Sequence, residues 1–234
     1  MSKEQEIIGI IAGGGQFPLM VAEAARKQGY RVVAVAHIGD TESSLSDKVD
    51  EIVWIKLGQL GQLIKKLAIF HDDDILRAVA KELAKQGIEI VSSTSHLPEL
   101  SAPLGCLTRR GLTGSEEEDV DFGWKVAKEL GRLDIGQCVV VRKKAVLALE
   151  AIDGTDETIL RGGRLAREAA VVVKVSKPDQ DLRFDVPCVG LETLRVMSQV
   201  KASVLAVEAG KTLMFDRTEM VAYANKEGIS IVSR

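Results

Sequence analysis

The sequence predicts an α/β protein of two α/β domains, the first Rossmann-like with a parallel sheet, the second a mixed sheet with helices. Two apolar, β-branched runs, Ile7 to Ile11 and Arg31 to Ala36, read as buried strands. Between them, Pro18 suits the first turn of a helix, and Gly29 suits its end. A strand, a helix and a second strand in close succession imply a parallel sheet.

The pattern changes after Gly131. The runs 137–141 and 146–152 predict a hairpin of two apolar strands around a pair of lysines. Such antiparallel pairing next to further strand and helix patterns is typical of a mixed sheet. We therefore place the boundary near Leu133, which gives domains at 1–132 and 133–234.

The other elements follow from hydrophobic periodicity and from turn residues. A helix from about 115 to 130 begins at a capping box formed by Ser115 and Glu118. Further strands are predicted at 51–55, 88–91, 169–175, 203–207, 212–215 and 229–232. Further helices are predicted at 60–67, 75–86, 191–200 and 216–226.

Composition excludes several classes of function. The 234 residues carry a formal net charge of −3, so no basic excess favours nucleic-acid binding. No apolar run approaches the roughly 20 residues that span a bilayer, and the polar start does not resemble a secretory signal. The cysteines Cys106, Cys138 and Cys188 fit no metal or disulfide spacing, which favours the cytoplasm.

Three consecutive glycines, Gly13, Gly14 and Gly15, stand between the first strand and the first helix. Backbone amides can approach an anion there, and the helix N-terminus adds a partial positive charge. A tight turn in a packed α/β unit is the plainer alternative. The spacing is neither a dinucleotide fingerprint nor a P-loop, so the glycines favour phosphate binding without naming the ligand.

Two segments of the second half carry closely spaced carboxylates. One spans Glu150 to Asp156, and the other runs from Lys177 to Pro187. Mg²⁺ commonly uses one or two such carboxylates together with phosphate oxygens of a substrate. The alternative is that these are solvated loop acids and helix caps. Asp185 stands apart, because its apolar neighbours predict a buried acid beside Arg183.

Four segments together closely resemble the UDP-2,3-diacylglucosamine pyrophosphatase family of the LpxI type. They are IAGGGQFP, DIGQCVVVRKKAVLALEAIDGTD, KPDQDLRFDVPCVG and AVEAGKTLMFDR. The resemblance implies a two-domain enzyme of lipid A biosynthesis in Gram-negative bacteria. Such an enzyme hydrolyses UDP-2,3-diacylglucosamine to UMP and 2,3-diacylglucosamine 1-phosphate (lipid X), with Mg²⁺ or another divalent cation. Its substrate lies between the domains, and the resemblance favours attack at the lipid-side phosphorus.

The resemblance also implies roles for particular residues. The essential aspartate of the family maps onto Asp185, as a catalytic group or metal ligand, and Asp156 and Glu150 are carried over as neighbouring metal ligands. The expected substrate contacts are Gly13, Gly14, Gly15, Gln16, Thr155 and Arg183. We also expect a cytoplasmic enzyme that touches the inner face of the inner membrane transiently to collect its lipid substrate. The oligomeric state, a homodimer included, is left open.

One departure from the family concerns the first domain. The family has a further strand and helix between the helix that ends near Leu67 and the helix that begins near Asp72. Here Ile69 to His71 join them directly. Either this chain lacks that piece or the printed sequence omits a segment. We expect a spacing between consecutive Cα atoms there that exceeds the ~3.8 Å of a trans peptide.

Three alternatives come from other classes. A non-catalytic nucleotide-sugar binding or regulatory module would keep the glycines but would not need Asp185. A nucleotide enzyme of another kind, such as a dehydrogenase, lacks its fingerprint here. A structural or interaction protein is disfavoured, because glycines and acids cluster where catalytic loops usually lie.

Overall fold

The computed structural model of the chain describes residues 6–56, 80–81, 84–85 and 87–234. Within it the chain divides into two compact units, residues 1–98 and residues 99–234. In the described part, no helix is long and apolar enough to cross a membrane. Each unit is described by itself below.

Unit 1 contains a three-stranded parallel sheet. Ile7 lies opposite Arg31, and Val33 lies opposite Glu51, so the strand order is β1-β2-β3. The predicted parallel arrangement is therefore confirmed. The elements are β1 (Ile7–Ala12), α1 (Phe17–Lys27), β2 (Arg31–His37) and β3 (Glu51–Ile55), with 3-10 turns at Ser43–Asp47 and Ser93–His96.

The core of unit 1 lies between α1 and one face of this sheet. Leu19 and Ala22 of α1 pack in one cluster with Val32 and Ala34 of β2. Pro18 stands in the first turn of α1, as predicted, where its missing amide hydrogen costs no helical hydrogen bond. The glycine loop precedes this helix, so the core fixes both ends of the loop.

Unit 2 is built on a six-stranded mixed sheet of order β4-β11-β9-β7-β5-β6. The strands β7, β9 and β11 are parallel, and β5 is antiparallel to both β6 and β7. The strands are β4 (Gly105–Cys106), β5 (Cys138–Arg142), β6 (Ala145–Leu149), β7 (Val171–Lys174), β8 (Cys188–Val189), β9 (Val204–Val207), β10 (Leu213–Met214) and β11 (Ser230–Ser233). The helices are α2 (Gly114–Arg132), α3 (Gly154–Ala166), α4 (Leu191–Gln199) and α5 (Arg217–Glu227).

Helices cover both faces of the six-stranded sheet. Val171 and Val173 of β7 face α2, whereas Val172 packs in the cluster that contains α3 and α4. Because strand side chains alternate between faces, strands covered on both faces become continuous apolar runs. The valine runs therefore encode the central strands, and the mixed sheet with helices is confirmed.

Several sequence expectations differ from the structure. The compact units divide after residue 98 rather than after 132, because Val120 and Ala127 of α2 pack against the sheet of unit 2. The capping box of α2 is formed by Thr113 and Glu116, two residues earlier than predicted. Residues 88–91 form no strand. The helix predicted at 60–67, most of that at 75–86 and the predicted Cα gap lie outside the described residues.

Candidate functional site

Several polar groups of unit 2 gather at one edge of its sheet. Lys174 ends β7, and Glu208 directly follows the parallel strand β9. The antiparallel strand β5 starts at this same edge, since Cys138 lies opposite Lys174. Glu150 follows β6 and hydrogen-bonds to the chain just before β5. In open α/β sheets, ligands bind outside the carboxyl ends of parallel strands.

A buried hydrogen-bonded chain links Glu150, Thr155 and Lys174. The hydroxyl of Thr155 donates to Oε1 of Glu150 at 2.5 Å, and Nζ of Lys174 donates to Oγ1 of Thr155 at 2.9 Å. The backbone N–H of Gln137 donates to the other carboxylate oxygen of Glu150 at 2.9 Å. Glu150 is 7% exposed and Lys174 is 8% exposed. Both charges are therefore held away from water by specific partners.

Lys174 also links the first acidic segment to the residue that directly follows the second one. Its ammonium donates to the carbonyl oxygen of Cys188 at 3.0 Å, three residues after Asp185. The same ammonium binds Thr155, which belongs to the first segment. One lysine thus contacts the first segment and the chain directly after the second segment at the carboxyl edge of the sheet.

Asp156 is a further acid near the hydrogen-bonded residues Glu150, Thr155 and Lys174, because its charge acts on the nearby thiol of Cys138. Burial, with the negative charges of Glu150 and then Asp156, raises the pKa of the Cys138 thiol to about 12, whereas Lys174 lowers it. The thiol is therefore protonated at neutral pH and is not a nucleophile. Asp156 itself is exposed in the first turn of α3.

Asp185 follows the turn at residues 182–184 and is exposed, so the prediction of a buried acid is wrong. Arg183 pairs bidentately with Asp181, at 2.9 and 2.6 Å, rather than with Asp185. This local pair stabilises a turn, and the backbone N–H of Asp185 donates back to the carbonyl of Asp181 at 3.3 Å. The segment therefore folds on itself instead of extending as a strand, and Asp185 faces solvent.

Gln180 orients the carboxylate of Asp185. Its amide N–H donates to Oδ2 of Asp185 at 2.5 Å. Its amide oxygen accepts from the backbone N–H of Lys177 at 2.9 Å and from the hydroxyl of Ser176 at 3.1 Å. The glutamine is held at both ends, so Asp185 is fixed in direction although it is exposed.

A second buried carboxylate, Glu208, anchors the start of this loop. Glu208 pairs with Lys128 at 2.6 Å and with Lys211 at 2.9 Å, and it accepts from the backbone N–H of Ser176 at 2.9 Å. Burial opposes ionisation, but the hydrogen bonds from these groups outweigh it and lower the pKa of Glu208. The loop that carries Asp185 is thereby tied to β9.

The glycine loop of unit 1 lies at the carboxyl end of β1. Gly15 has a φ of +74°, and a Cβ on Gly14 would lie 2.9 Å from Oδ1 of Asp40. Gln16 caps α1 without a side-chain hydrogen bond, and the first turn of this helix carries no acid. The glycine loop before this helix is exposed, and an exposed helix N-terminus offers the partial positive charge that an anion site uses.

A metal centre at Glu150, Asp156 and Asp185 stays a prediction. Both oxygens of Glu150 accept hydrogen bonds from protein groups. In the described ranges, no group of three or more His, Cys, Asp or Glu side chains is arranged to hold a metal ion. Glu150 has the partners of a structural anchor, whereas Asp156 and Asp185 stay exposed.

Comparison with models of known protein families shows the family to which the chain belongs. Residues 7–70 match the family model of the LpxI N-terminal domain. Residues 103–232 match that of the LpxI C-terminal domain, which is more than half of the chain. The chain belongs to the LpxI family. The resemblance found in the four sequence segments is thereby confirmed.

A curated member of the LpxI family extends this comparison. The chain is 28% identical to the UDP-2,3-diacylglucosamine pyrophosphatase LpxI of Caulobacter vibrioides over 271 aligned positions, which cover 96% of each chain. The alignment is longer than the 234 residues of this chain, so part of it has no counterpart here. The position of the missing piece stays a prediction, because residues 57–79 are outside the described part.

The LpxI domain matches contain every residue that sequence analysis selected. The glycine loop lies in the N-terminal match, and the acidic segments lie in the C-terminal match. Sequence analysis missed Lys174, Gln180 and Glu208. A signal existed for two of them, because a charged residue at the end of a valine strand marks the carboxyl edge of a sheet. Gln180 gave no such signal.

Proposed function

We propose that this chain hydrolyses the diphosphate of UDP-2,3-diacylglucosamine to UMP and 2,3-diacylglucosamine 1-phosphate, in lipid A biosynthesis. Membership of the LpxI family and the name of the Caulobacter relative support the substrate. One structural observation supports the site most directly. Asp185 is an exposed carboxylate that accepts a hydrogen bond from Gln180, three residues before Cys188, which Lys174 joins to Thr155.

The reaction assigns Asp185 the role of general base. A water oxygen bonds to the lipid-side phosphorus, and the bond from that phosphorus to the bridging oxygen breaks. UMP leaves with the bridging oxygen, and the proton of the water passes to the Asp185 carboxylate. General-base catalysis needs an accessible, oriented carboxylate within hydrogen-bond reach of the water. Exposure of Asp185 thus suits this role better than the burial that the sequence suggested.

The remaining predicted site residues are proposed as substrate contacts. Thr155 and Arg183 belong to the acidic segments, and residues 13–16 form the glycine loop. Backbone amides at a helix N-terminus suit phosphate oxygens, whereas the guanidinium of Arg183 suits bidentate binding once it leaves Asp181.

A divalent cation stays a prediction. EDTA should abolish UMP release by the purified protein, and added Mg²⁺ should restore it. Full activity after exhaustive chelation would contradict the requirement and would leave catalysis to the groups of the chain itself.

The experiment that tests the proposed function is direct. Purified protein is incubated with UDP-2,3-diacylglucosamine and Mg²⁺, and products are separated by thin-layer chromatography. We expect UMP and lipid X to appear in equal amounts. Tight binding of the substrate without release of UMP would instead favour a non-catalytic nucleotide-sugar binding module.

Hydrolysis in oxygen-18 water tests which phosphorus is attacked. Attack at the lipid-side phosphorus places the label in lipid X and leaves UMP unlabelled. Label in UMP would show attack at the uridine-side phosphorus. Mass spectrometry of the two products gives the answer in one turnover.

The acyl chains of the proposed substrate require contact with a membrane. Each buried CH₂ group contributes ~0.8 kcal/mol, so the lipid does not leave the bilayer freely. We propose that the chain acts in the cytoplasm and meets the inner face of the inner membrane transiently. Co-sedimentation with vesicles that contain the substrate should exceed co-sedimentation with vesicles that lack it.

Size-exclusion chromatography with light scattering tests whether the protein is a homodimer.

A further inference from the structure

Lys174 is a buried cation without a direct anionic partner. It is 8% exposed. Among the described residues, no carboxylate lies within the 4.0 Å ion-pair distance of its ammonium. Other part-buried lysines of unit 2 do have such partners, for example Lys128 with Glu208 and Lys177 with Asp134. The charge of Lys174 is therefore compensated differently from theirs.

The protein partners of Lys174 are both neutral. Its Nζ atom donates to the hydroxyl oxygen of Thr155 and to the carbonyl oxygen of Cys188. An ammonium has three N–H groups, so within the described chain one of them has no protein acceptor. A buried charge that lacks a counter-charge is strongly unfavourable. The third N–H group of the ammonium is therefore available to an oxygen of a bound anion.

Glu150 acts on Lys174 through Thr155 rather than directly. Because the Thr155 hydroxyl donates its proton to Glu150, its oxygen is left as an acceptor for Lys174. The Glu150 carboxylate is in turn occupied by the backbone N–H of Gln137. The chain of bonds orients the ammonium and leaves its positive charge available.

We propose that Lys174 binds a non-bridging oxygen of the diphosphate, with Thr155 and Glu150 as the groups that position it. This inference rests on the proposed function, since it assigns a role in binding that same substrate. Lys174 contacts the carbonyl oxygen of Cys188, three residues after the proposed general base Asp185. A purely structural lysine would instead only connect residues 155 and 188.

Binding of inorganic pyrophosphate separates these roles without any need for turnover. Calorimetric titrations in magnesium-free buffer compare wild type, Lys174→Met, Lys174→Arg and Lys125→Met, the last being an exposed lysine of α2. We expect Lys174→Met to bind pyrophosphate about 10- to 100-fold more weakly. Lys174→Arg, which keeps the charge, should recover part of the affinity, and Lys125→Met should equal wild type.

Wild-type affinity in a folded Lys174→Met variant would overturn the proposal. Circular dichroism and thermal unfolding check the fold of each variant first. If Lys174→Met does not fold, the wild-type protein labelled with ¹⁵N-lysine is titrated with pyrophosphate. The side-chain nitrogen resonance of Lys174 should then shift with saturation, and an unchanged resonance would contradict direct contact.

The outcomes distinguish this proposal from the proposed function. If wild type binds pyrophosphate through Lys174 but does not hydrolyse UDP-2,3-diacylglucosamine, the proposed function fails and the anion site remains. If wild type hydrolyses the substrate and Lys174→Met matches it in pyrophosphate affinity and in KM, only the role of Lys174 fails.

Discussion

The amide nitrogen of Gln180 lies 2.5 Å from Oδ2 of Asp185 and donates a hydrogen bond to it. The oxygen of this amide accepts hydrogen bonds from the hydroxyl of Ser176 and from the backbone N–H of Lys177, at the start of the same loop. The glutamine is therefore held at both ends of its amide group. An exposed carboxylate normally samples several rotamers. This contact restricts Asp185 to one direction, which is a requirement for a general base.

Replacing Gln180 with alanine should therefore lower kcat more than it changes KM. We expect a decrease of about tenfold in kcat, which corresponds to ~1.4 kcal/mol of lost positioning in the transition state. Steady-state kinetics on UDP-2,3-diacylglucosamine measure both constants. An unchanged kcat would show that Gln180 does not position the base, and a change confined to KM would show that it serves substrate binding.

The glycine loop can be tested where alanine fits the folded chain. A Cβ on Gly13 meets nothing within 4 Å, whereas a Cβ on Gly14 meets Asp40. Gly13→Ala should leave the melting temperature unchanged or slightly raised. If substrate phosphate approaches the backbone at this point, the same substitution should lower kcat/KM about tenfold or more.

Thermal unfolding and kinetics of Gly13→Ala decide between ligand contact and a plain turn. Full activity together with normal stability would assign the glycines to turn geometry alone. Gly14→Ala is the comparison that should lose stability, because its methyl group displaces Asp40.

Glu208 should make acid pH destabilising. Its folded pKa is lowered, so its contribution to stability is fully present above the unfolded pKa and is lost as the pH falls through the folded value. At pH 7, Glu208→Gln should reduce the free energy of unfolding by about 2–3 kcal/mol, because hydrogen bonds to a charge are lost.

Urea unfolding across pH gives the check on Glu208. The difference between wild type and Glu208→Gln should be largest near neutrality and should shrink below about pH 4.3, the ordinary pKa of a glutamate in an unfolded chain. A difference that stays constant from acid to neutral pH would mean that the carboxylate charge contributes nothing. Glu192→Gln, an exposed site in α4, is the matched control.

The glycine pair in α3 should be intolerant of alanine. A Cβ on Gly162 would lie 2.5 Å from Cβ of Val140, and a Cβ on Gly163 would lie 2.2 Å from Cγ2 of Val200. Overpacking of this kind costs about 1–3 kcal/mol. Gly162→Ala should lower the midpoint of urea unfolding accordingly, and Gly162→Ala with Val140→Ala should recover part of the loss. Unchanged stability of the single variant would contradict close contact between α3 and β5.

Much of the fold could be predicted because local patterns determine it. The start of the chain shows this: the run Ile7 to Ile11 specifies a strand, the glycines specify a loop, and Pro18 specifies the beginning of a helix. The valine runs specify strands covered on both faces. The division after residue 98 could not be predicted, since it depends on which sheet α2 packs against, and the apolar face of α2 does not encode its partner.

The site was predictable in part for the same reason. Thr155 and Glu150 were found because they belong to one short motif, and the structure brings them into contact. Lys174 comes next to Thr155 only through the register of β5, β6 and β7, which involves residues far apart in sequence. Asp185 was placed correctly in a polar segment but wrongly buried. The pair between Asp181 and Arg183 stabilises a turn. The apolar neighbours of Asp185 in the sequence gave no indication of this turn.

The most direct measurement of the central claim compares UMP release by Asp185→Ala and Asp179→Ala, two exposed acids of the same loop. Both variants should fold with the wild-type circular dichroism spectrum. We predict that Asp185→Ala loses about 99% of turnover or more, which corresponds to a loss of about 3 kcal/mol in transition-state stabilisation. Asp179→Ala should keep near-wild-type turnover. Near-wild-type release of UMP by Asp185→Ala would contradict the account.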